Sequence, residues 1–151
     1  LLNIAGGFHW ASFEFDELDS WDRMHHMNVK TAITASKAAL PHFIAQQRGR
    51  IVCVSAGAAV KGDMGIAPYA ASKAGVSRFV ESLAAELKDR GIRVKAVAPS
   101  IIDTAPNREA MPDEDFTKWV SPEALAKVML FLASDDAEAI TGAVLPVSGR
   151  V

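Results

Sequence analysis

The sequence has little of what would mark a specialised class of protein. Among its 151 residues there is one cysteine, Cys53, so no internal disulfide can form and a reducing compartment such as the cytoplasm is favoured. The 16 Lys and Arg residues nearly balance the 18 Asp and Glu residues, which leaves a formal net charge of −2. Surfaces that bind nucleic acid or anionic membranes are strongly basic, and a membrane-spanning helix needs roughly 18 consecutive apolar residues, which this chain lacks. We therefore expect a cytoplasmic protein with neither a nucleic-acid nor a membrane partner.

The histidines also lack the spacing of a metal site. His25 and His26 are adjacent on a predicted helix, so their side chains point about 100° apart. His9 and His42 lie outside any H-E-x-x-H or C-x-x-C motif. We predict no metal.

The first residues lack the initiator methionine and the charged region that precede the apolar stretch of a signal peptide. Residues 1–5 are apolar and end at the glycine pair Gly6-Gly7, as a buried parallel strand does. We expect the 151 residues to be part of a longer chain.

Short apolar runs alternate with longer amphipathic stretches along the rest of the sequence. Strands are predicted at about 1–5, 51–55, 92–98 and 143–147, helices at about 19–47, 68–90 and from 122 onward, and loops over 56–67 and 99–120. Asp19 and Ser121 are predicted N-caps, Gly91 a C-terminal cap, and Pro41 a bend. Alternation of this kind predicts an α/β domain with a parallel sheet and helices on both faces. Without repeats or a shift in composition, residues 1–151 form one domain, which we expect to be incomplete.

Tyr69 and Lys73 are the first candidates for chemistry. They are four residues apart on a predicted helix, so both side chains project from one face of it. A nearby ammonium lowers the pKa of a tyrosine, and such a tyrosine can exchange a proton with a carbonyl or alcohol oxygen. A solvated surface pair is the ordinary alternative for a bare Y-x-x-x-K motif. The helix follows a strand and a loop of small residues, which puts Tyr69 at the sheet edge where ligands bind.

Four segments resemble the short-chain dehydrogenase/reductase family in their order and approximate spacing, over nearly the whole chain. They are Asn3-Ile4-Ala5-Gly6, Asn28, Tyr69-Ala70-Ala71-Ser72-Lys73 and Pro99 through Thr104. The resemblance implies a Rossmann-like, doubly wound parallel sheet, with these strands as the fourth to the seventh. It also implies NAD or NADP as cofactor and hydride transfer between nicotinamide and a small-molecule substrate. The family's glycine-rich T-G-x-x-x-G-x-G turn, which binds the pyrophosphate, is absent from the 151 residues.

The resemblance also implies the role of each matching residue. Tyr69 would be the general acid/base, Lys73 would lower its pKa and bind the nicotinamide ribose, and Asn28 would hold a water that links Lys73 to solvent. Thr104 and the Ile102 backbone would contact the carboxamide of the nicotinamide. The implied cofactor contacts are Asn3, Ala5, Gly6, Tyr69, Lys73, Pro99, Ile102 and Thr104.

The family's catalytic serine has no clear counterpart. It usually lies 13 residues before the tyrosine, and that position is Ala56. Ser55 is the nearest candidate, but on a strand a shift of one residue reverses the face, so Ser55 requires a local bulge to reach the site. Ile4 and Ser100 also depart from the family's pattern, where Asn and Gly are usual.

In lacking this serine, the chain resembles the dihydropteridine reductase branch of the family. In that branch a Tyr-Lys pair acts without a catalytic serine. The segments that carry this second resemblance are residues 55–59, 103–108, 111–112 and 115–119. It implies a quinonoid dihydropterin as substrate, and a 3-oxoacyl or other ketone substrate is the alternative.

A different class of function also fits the residues: a truncated, inactive module that serves in structure or interaction. Without the pyrophosphate turn, most of the affinity for a dinucleotide lies outside this chain, so we do not expect the 151 residues alone to turn over. Family members usually pair through two long helices, here about 19–47 and 68–90. The resemblance therefore implies a homodimer or homotetramer.

Overall fold

The computed structural model describes residues 1–151 and contains one sheet of four parallel strands. The strands are β1 (Leu2–Asn3), β2 (Gly49–Val54), β3 (Ile92–Pro99) and β4 (Val144–Val147). They pair in chain order, with Leu2 opposite Val52 and Val97 opposite Leu145. Because neighbouring parallel strands need crossover connections, a helical segment lies between each pair. The predicted α/β architecture is confirmed, although β1 is much shorter than the predicted strand.

Five α-helices make up these connections. They are α1 (Leu18–Met24), α2 (Thr31–Gln46), α3 (Ala67–Leu87), α4 (Ala105–Ala110) and α5 (Pro122–Ala133). A π-helical segment, His25–Lys30, joins α1 to α2, so the helix predicted over 19–47 consists of three consecutive segments. The stretch 99–120, predicted as a loop, contains α4. None of the helices combines the length and the apolar character needed to cross a bilayer.

Helices cover both faces of the sheet because apolar residues on β2 and β3 alternate in direction. Ile51 and Cys53 pack toward α2 and α3, whereas Val52 packs toward α5. The larger core contains Val29, Ala32, Ile51, Cys53, Val76, Val80, Ala84, Leu87, Ile92, Val94 and Ala96. The smaller core contains Val52, Val97, Val120, Leu125, Met129 and Leu132. The doubly wound arrangement is confirmed.

Lys95 is fully buried on the α5 side of β3. Its ammonium donates hydrogen bonds to the carbonyl oxygens of Leu132 (2.8 Å) and Ala137 (2.7 Å), at and just beyond the carboxyl end of α5. Cations are favourable at that end of a helix dipole. Burial is the main reason that the pKa of Lys95 is lowered.

The helix ends test the predicted caps. Gly91 adopts a left-handed conformation (φ 71°), and the Ser121 hydroxyl accepts a hydrogen bond from the backbone N–H of Ala124 (3.1 Å), so both predictions are confirmed. Asp19 is not a cap, because α1 begins at Leu18 and contains Asp19 in its first turn. Pro41 lies inside α2, and the bend predicted at this residue stays a prediction.

Candidate active site

The carboxyl ends of β1, β2 and β3 meet at one edge of the sheet, and the start of α3 lies beside it. Pro68 occupies the first turn of α3, so Tyr69 and Lys73 follow in its first two turns. The Lys73 ammonium donates a hydrogen bond to the Val54 carbonyl oxygen (2.9 Å) at the end of β2. It lies 5.9 Å from the centre of the Tyr69 ring. The expectation that these two side chains share one helix face is confirmed.

Burial dominates the proton affinities of both groups. It raises the pKa of Tyr69 above its ordinary value and lowers the pKa of Lys73 to about 8. The net direction for Tyr69 is therefore opposite to the expected lowering by Lys73, because burial of the phenol outweighs the effect of the neighbouring ammonium, which is itself bonded to the Val54 carbonyl. Tyr69 is consequently protonated near neutral pH, the state in which a phenol donates a proton.

Asn28 joins the segment after β1 to the start of α3. It is buried within the π-helical segment, an irregularity that often occurs at functional sites. Its amide oxygen accepts a hydrogen bond from the Gly7 N–H (2.9 Å), and its amide nitrogen donates to the Gly7 carbonyl (3.1 Å) and the Ser72 hydroxyl (2.9 Å). The Ser72 hydroxyl donates in turn to the Tyr69 carbonyl (2.7 Å). Asn28 thus positions the tyrosine's helical turn, while its implied water remains a prediction.

The Gly6 backbone lies close to the side chains of Asn28 and Lys73. A Cβ atom at Gly6 would lie 2.6 Å from the Asn28 amide oxygen and 3.4 Å from the Lys73 ammonium nitrogen. Real Cβ atoms essentially never come within 3.0 Å of another heavy atom. The absent side chain therefore leaves room for the backbone, and for any ligand that approaches it, next to Lys73.

Replacing Gly6 with alanine is expected to destabilise the protein by about 1–3 kcal/mol, because the new methyl group displaces the buried Asn28 amide from Gly7. The matched control is Gly62→Ala, whose Cβ would make only an ordinary contact of 3.9 Å with the Ala70 methyl group. Urea unfolding of both variants measures the difference. Equal midpoints for the two would contradict the close approach at Gly6.

Ser55 does not reach the site. Its hydroxyl donates to the Lys73 carbonyl oxygen (3.0 Å), pairs with the Ser77 hydroxyl (2.7 Å) and is fully enclosed between β2 and α3. No bulge turns it toward Tyr69, and the candidacy of Ser55 as a catalytic residue is thereby corrected. Ala56 follows in extended conformation and supplies no hydroxyl.

The residues implied as cofactor contacts divide into two groups at this edge. The Asn3 amide is directed into the protein, where it donates to the Ser36 hydroxyl (3.1 Å) and the Cys53 sulfur (3.4 Å). Ala5 and Gly6, by contrast, are exposed just beyond β1. The Asn3 amide nitrogen therefore already has two protein partners, and the implied cofactor contact, through the amide oxygen or the backbone, stays a prediction.

The other group follows β3, which ends at Pro99. The Thr104 hydroxyl caps α4 by accepting from the Asn107 N–H (3.4 Å), and the Asn107 amide donates to the Ile102 carbonyl (2.7 Å). Asn107 therefore fixes the Ile102–Thr104 turn, a role that the sequence analysis missed. The three-residue spacing from Thr104 to Asn107 is an N-cap signal that predicts the hydrogen bond of the Asn107 backbone, but not the bond from its side chain to Ile102.

A second missed residue is Phe8. Its ring centre lies 4.9 Å from that of Tyr69, and the two rings are inclined by 74° in an edge-to-face contact. Nothing in the helical or strand periodicity places an aromatic side chain there. An aromatic residue after a glycine pair at a sheet edge is the only signal.

Comparison with known proteins identifies the fold and the family. A family model described as enoyl-(acyl carrier protein) reductase matches residues 1–149. The structure also superposes, with a TM-score of 0.88 and 32% identity, on an oxidoreductase of the short-chain dehydrogenase/reductase family from Burkholderia thailandensis. That match covers 99% of this chain and 62% of the other. The chain belongs to the short-chain dehydrogenase/reductase family.

Other members of the short-chain dehydrogenase/reductase family are similar over the same region. The 3-oxoacyl-[acyl-carrier-protein] reductase of Thermotoga maritima is 37% identical over 158 residues, covering 99% of this chain and 64% of the relative. A Beutenbergia cavernae structure, described as an NAD(P)-dependent gluconate 5-dehydrogenase with NADP bound at low occupancy, has a TM-score of 0.92 and 31% identity. The superposition covers 99% of this chain and 64% of the Beutenbergia cavernae chain. The chain thus spans less than two thirds of these relatives, and none of them specifically supports the dihydropteridine reductase branch.

Proposed function

We propose that the full-length protein is an NAD(P)-dependent oxidoreductase and that residues 1–151 form the catalytic part of a single domain. The observation that carries this proposal is the pairing of Tyr69 with the buried Lys73 beside Gly6 at the carboxyl edge of the sheet. Family membership and the named reductase and dehydrogenase relatives support it. The Tyr-Lys pair would act on the oxygen or nitrogen of the bond that is reduced.

The residues at this edge fit the nicotinamide end of the cofactor. Of the three N–H groups of the Lys73 ammonium, one is bonded to Val54, which leaves two donors beside the open backbone at Gly6 for ribose hydroxyls. Ile102 and Thr104 border the same edge, where the carboxamide would bind. A bound nicotinamide supplies or accepts the hydride, and this chain contributes binding, orientation and proton transfer.

The proton chemistry follows from the burial of the two groups. When a carbonyl becomes an alcohol, its carbon gains a hydride and its oxygen gains a proton, which the protonated Tyr69 donates. Lys73, with a pKa of about 8, carries its charge near neutral pH and stabilises the phenolate that remains. Since Ala56 supplies no hydroxyl and Ser55 is bonded elsewhere, Tyr69 is the hydroxyl donor of this site.

The proposal includes two alternative classes of substrate. The relative from Thermotoga maritima supports a 3-oxoacyl or other ketone substrate. The absence of a serine hydroxyl next to Tyr69 favours a quinonoid dihydropterin, for which the resemblance implies a Tyr-Lys pair alone.

Oxidation of NADH and of NADPH by the full-length protein, with a 3-oxoacyl thioester and with a quinonoid dihydropterin, tests the proposal. We expect turnover of at least one substrate, and the preferred one decides between the two classes. Cofactor binding without turnover of either would contradict both substrate assignments. Absence of cofactor binding would leave the inactive structural module as the function.

We also propose that the protein is a cytoplasmic homodimer or homotetramer that associates through the helices at about 19–47 and 68–90. The single cysteine is free and buried, which suits a reducing compartment. The exposed side of α3 carries small residues, Ala71 and Ala85 among them, and these permit close approach of a second helix. Sedimentation equilibrium of the full-length protein measures the assembly.

A further inference from the structure

Phe8 presents an open aromatic surface beside the proposed proton donor. Its ring makes an edge-to-face contact with Tyr69, yet 62% of the residue is exposed. Because the two ring centres are 4.9 Å apart, a molecule bound against the Tyr69 side chain lies within reach of the exposed part of the Phe8 ring.

The segment that carries Phe8 is anchored on both sides. Gly7, before it, exchanges two hydrogen bonds with the Asn28 amide. His9, after it, pairs with the Asp16 carboxylate (2.9 Å), and Asp16 also accepts from the Ser20 hydroxyl of α1 (2.8 Å). The backbone at Phe8 is therefore held on both sides, which lowers the cost of ordering this segment when a ligand binds.

The same segment is fastened to the loop between β2 and α3. The Ala11 N–H donates to the Gly65 carbonyl (2.9 Å), and a Cβ at Gly65 would lie 2.3 Å from the indole nitrogen of Trp10. The indole thus lies directly against the Gly65 backbone. Trp10 is 59% exposed and gives the segment a second open aromatic ring two residues from Phe8.

Two other aromatic residues of this segment provide a contrast. Phe13 and Phe15 are even more exposed, at 78% each, but neither makes a ring contact with Tyr69. Phe8 is therefore distinguished from Phe13 and Phe15 by its contact with Tyr69 and not by its exposure.

We propose that Phe8 is a specificity-determining residue that selects substrates whose reducible carbonyl or imine belongs to a planar, conjugated or aromatic ring system. Such a ring stacks on Phe8 while its oxygen or nitrogen meets the Tyr69 hydroxyl, whereas a flexible aliphatic ketone gains only apolar contact. Aromatic pairs add an increment beyond burial that corresponds to a preference of about twofold to tenfold. This inference rests on the proposed oxidoreductase function and narrows its substrate class.

The kinetic test compares 1-tetralone with 2-decanone, two ketones of equal carbon number, in the full-length protein with saturating NADPH. Phe8→Leu keeps an apolar side chain but removes the ring, and we expect it to raise the KM for 1-tetralone by about twofold to tenfold. The KM for 2-decanone should not change. The matched control, Phe13→Leu, should alter neither value. An equal effect of Phe8→Leu on both ketones, or no effect on either, would overturn the inference.

A binding measurement separates this inference from the proposed function. NMR resonances of labelled tyrosine, assigned to Tyr69 by their loss in Tyr69→Phe, report titration of each ketone into the NADP-loaded protein without turnover. We expect tighter binding of 1-tetralone, and loss of that preference in Phe8→Leu alone. The preference without reduction of any substrate would support the role of Phe8 and refute the oxidoreductase proposal. Turnover that depends on Tyr69 but shows no Phe8-dependent preference would support the oxidoreductase proposal and refute the role of Phe8.

Discussion

Replacing Tyr69 with phenylalanine is expected to lower kcat of the full-length protein by about 10²–10⁴-fold, the range that a positioned general acid contributes. The substitution removes only the hydroxyl, so the ring still packs against Phe8 and the helix start is unchanged. Because neither Ser55 nor Ala56 offers a hydroxyl at this position, no neighbouring side chain replaces the lost donor. Affinity for NADPH should fall much less than kcat, because the variant keeps both of the free N–H donors of Lys73 that we propose for the ribose.

Steady-state kinetics and a fluorescence titration of NADPH measure the two quantities on the same preparation. Phe15→Leu, on an exposed side chain that makes no ring contact with Tyr69, provides the matched control and should retain wild-type kcat. If Tyr69→Phe kept more than a tenth of the wild-type kcat, the proton would come from another group or from water. The acid role of Tyr69 would then be wrong.

Much of the fold follows from local sequence signals. The alternating directions of Ile51, Val52 and Cys53 on β2 require apolar cover on both sides, which a parallel sheet between helices provides. Gly91 and Ser121 end and begin their elements through short-range chemistry, a left-handed backbone and a hydroxyl cap, so their positions are readable from the sequence. The Tyr69–Lys73 pair is equally local, because it depends only on helical spacing.

The irregular parts of the site depend on residues that are distant in sequence. The π-helical segment around Asn28 cannot be inferred from the helical pattern, since its amide is anchored by Gly7, 21 residues earlier, and Ser72, 44 residues later. The contact between Phe8 and Tyr69 likewise exists only in the folded chain. Lys95 lies among apolar residues of β3, and only the carbonyl groups of Leu132 and Ala137, at the carboxyl end of α5, explain how its buried ammonium is satisfied.

The proton affinities depend on burial rather than on spacing, which is why the sequence predicted the wrong direction for Tyr69. An ammonium four residues away favours the phenolate in an open helix. In the folded protein the phenol is desolvated and the ammonium is bonded to Val54, so the pKa of Tyr69 rises. Tyr69 is consequently protonated near neutral pH, the state that the proposed reduction requires.

Lys73 should make the stability of the protein depend on pH in the alkaline range. Its pKa falls from 10.5 in the unfolded chain to about 8 in the folded protein, mainly through burial. Between these two values the unfolded chain binds more protons, so the free energy of unfolding rises with pH from about 8 to 10.5. This gain is complete above 10.5 and is lost as pH falls through the folded pKa. The shift corresponds to about 3 kcal/mol.

Urea unfolding of the wild type and of Lys73→Met over this pH range measures the effect, because methionine keeps an unbranched apolar stem without the charge. The loss of the hydrogen bond to Val54 is the same at every pH, so the difference in unfolding free energy between the two proteins isolates the titration of Lys73. Both proteins should carry Cys53→Ala, since the Cys53 thiolate interacts with Lys73 and its own titration would add to the difference. A difference that stays constant from pH 7 to 11 would mean that Lys73 keeps its ordinary pKa. The charge of Lys73 would then be solvated rather than buried beside the tyrosine.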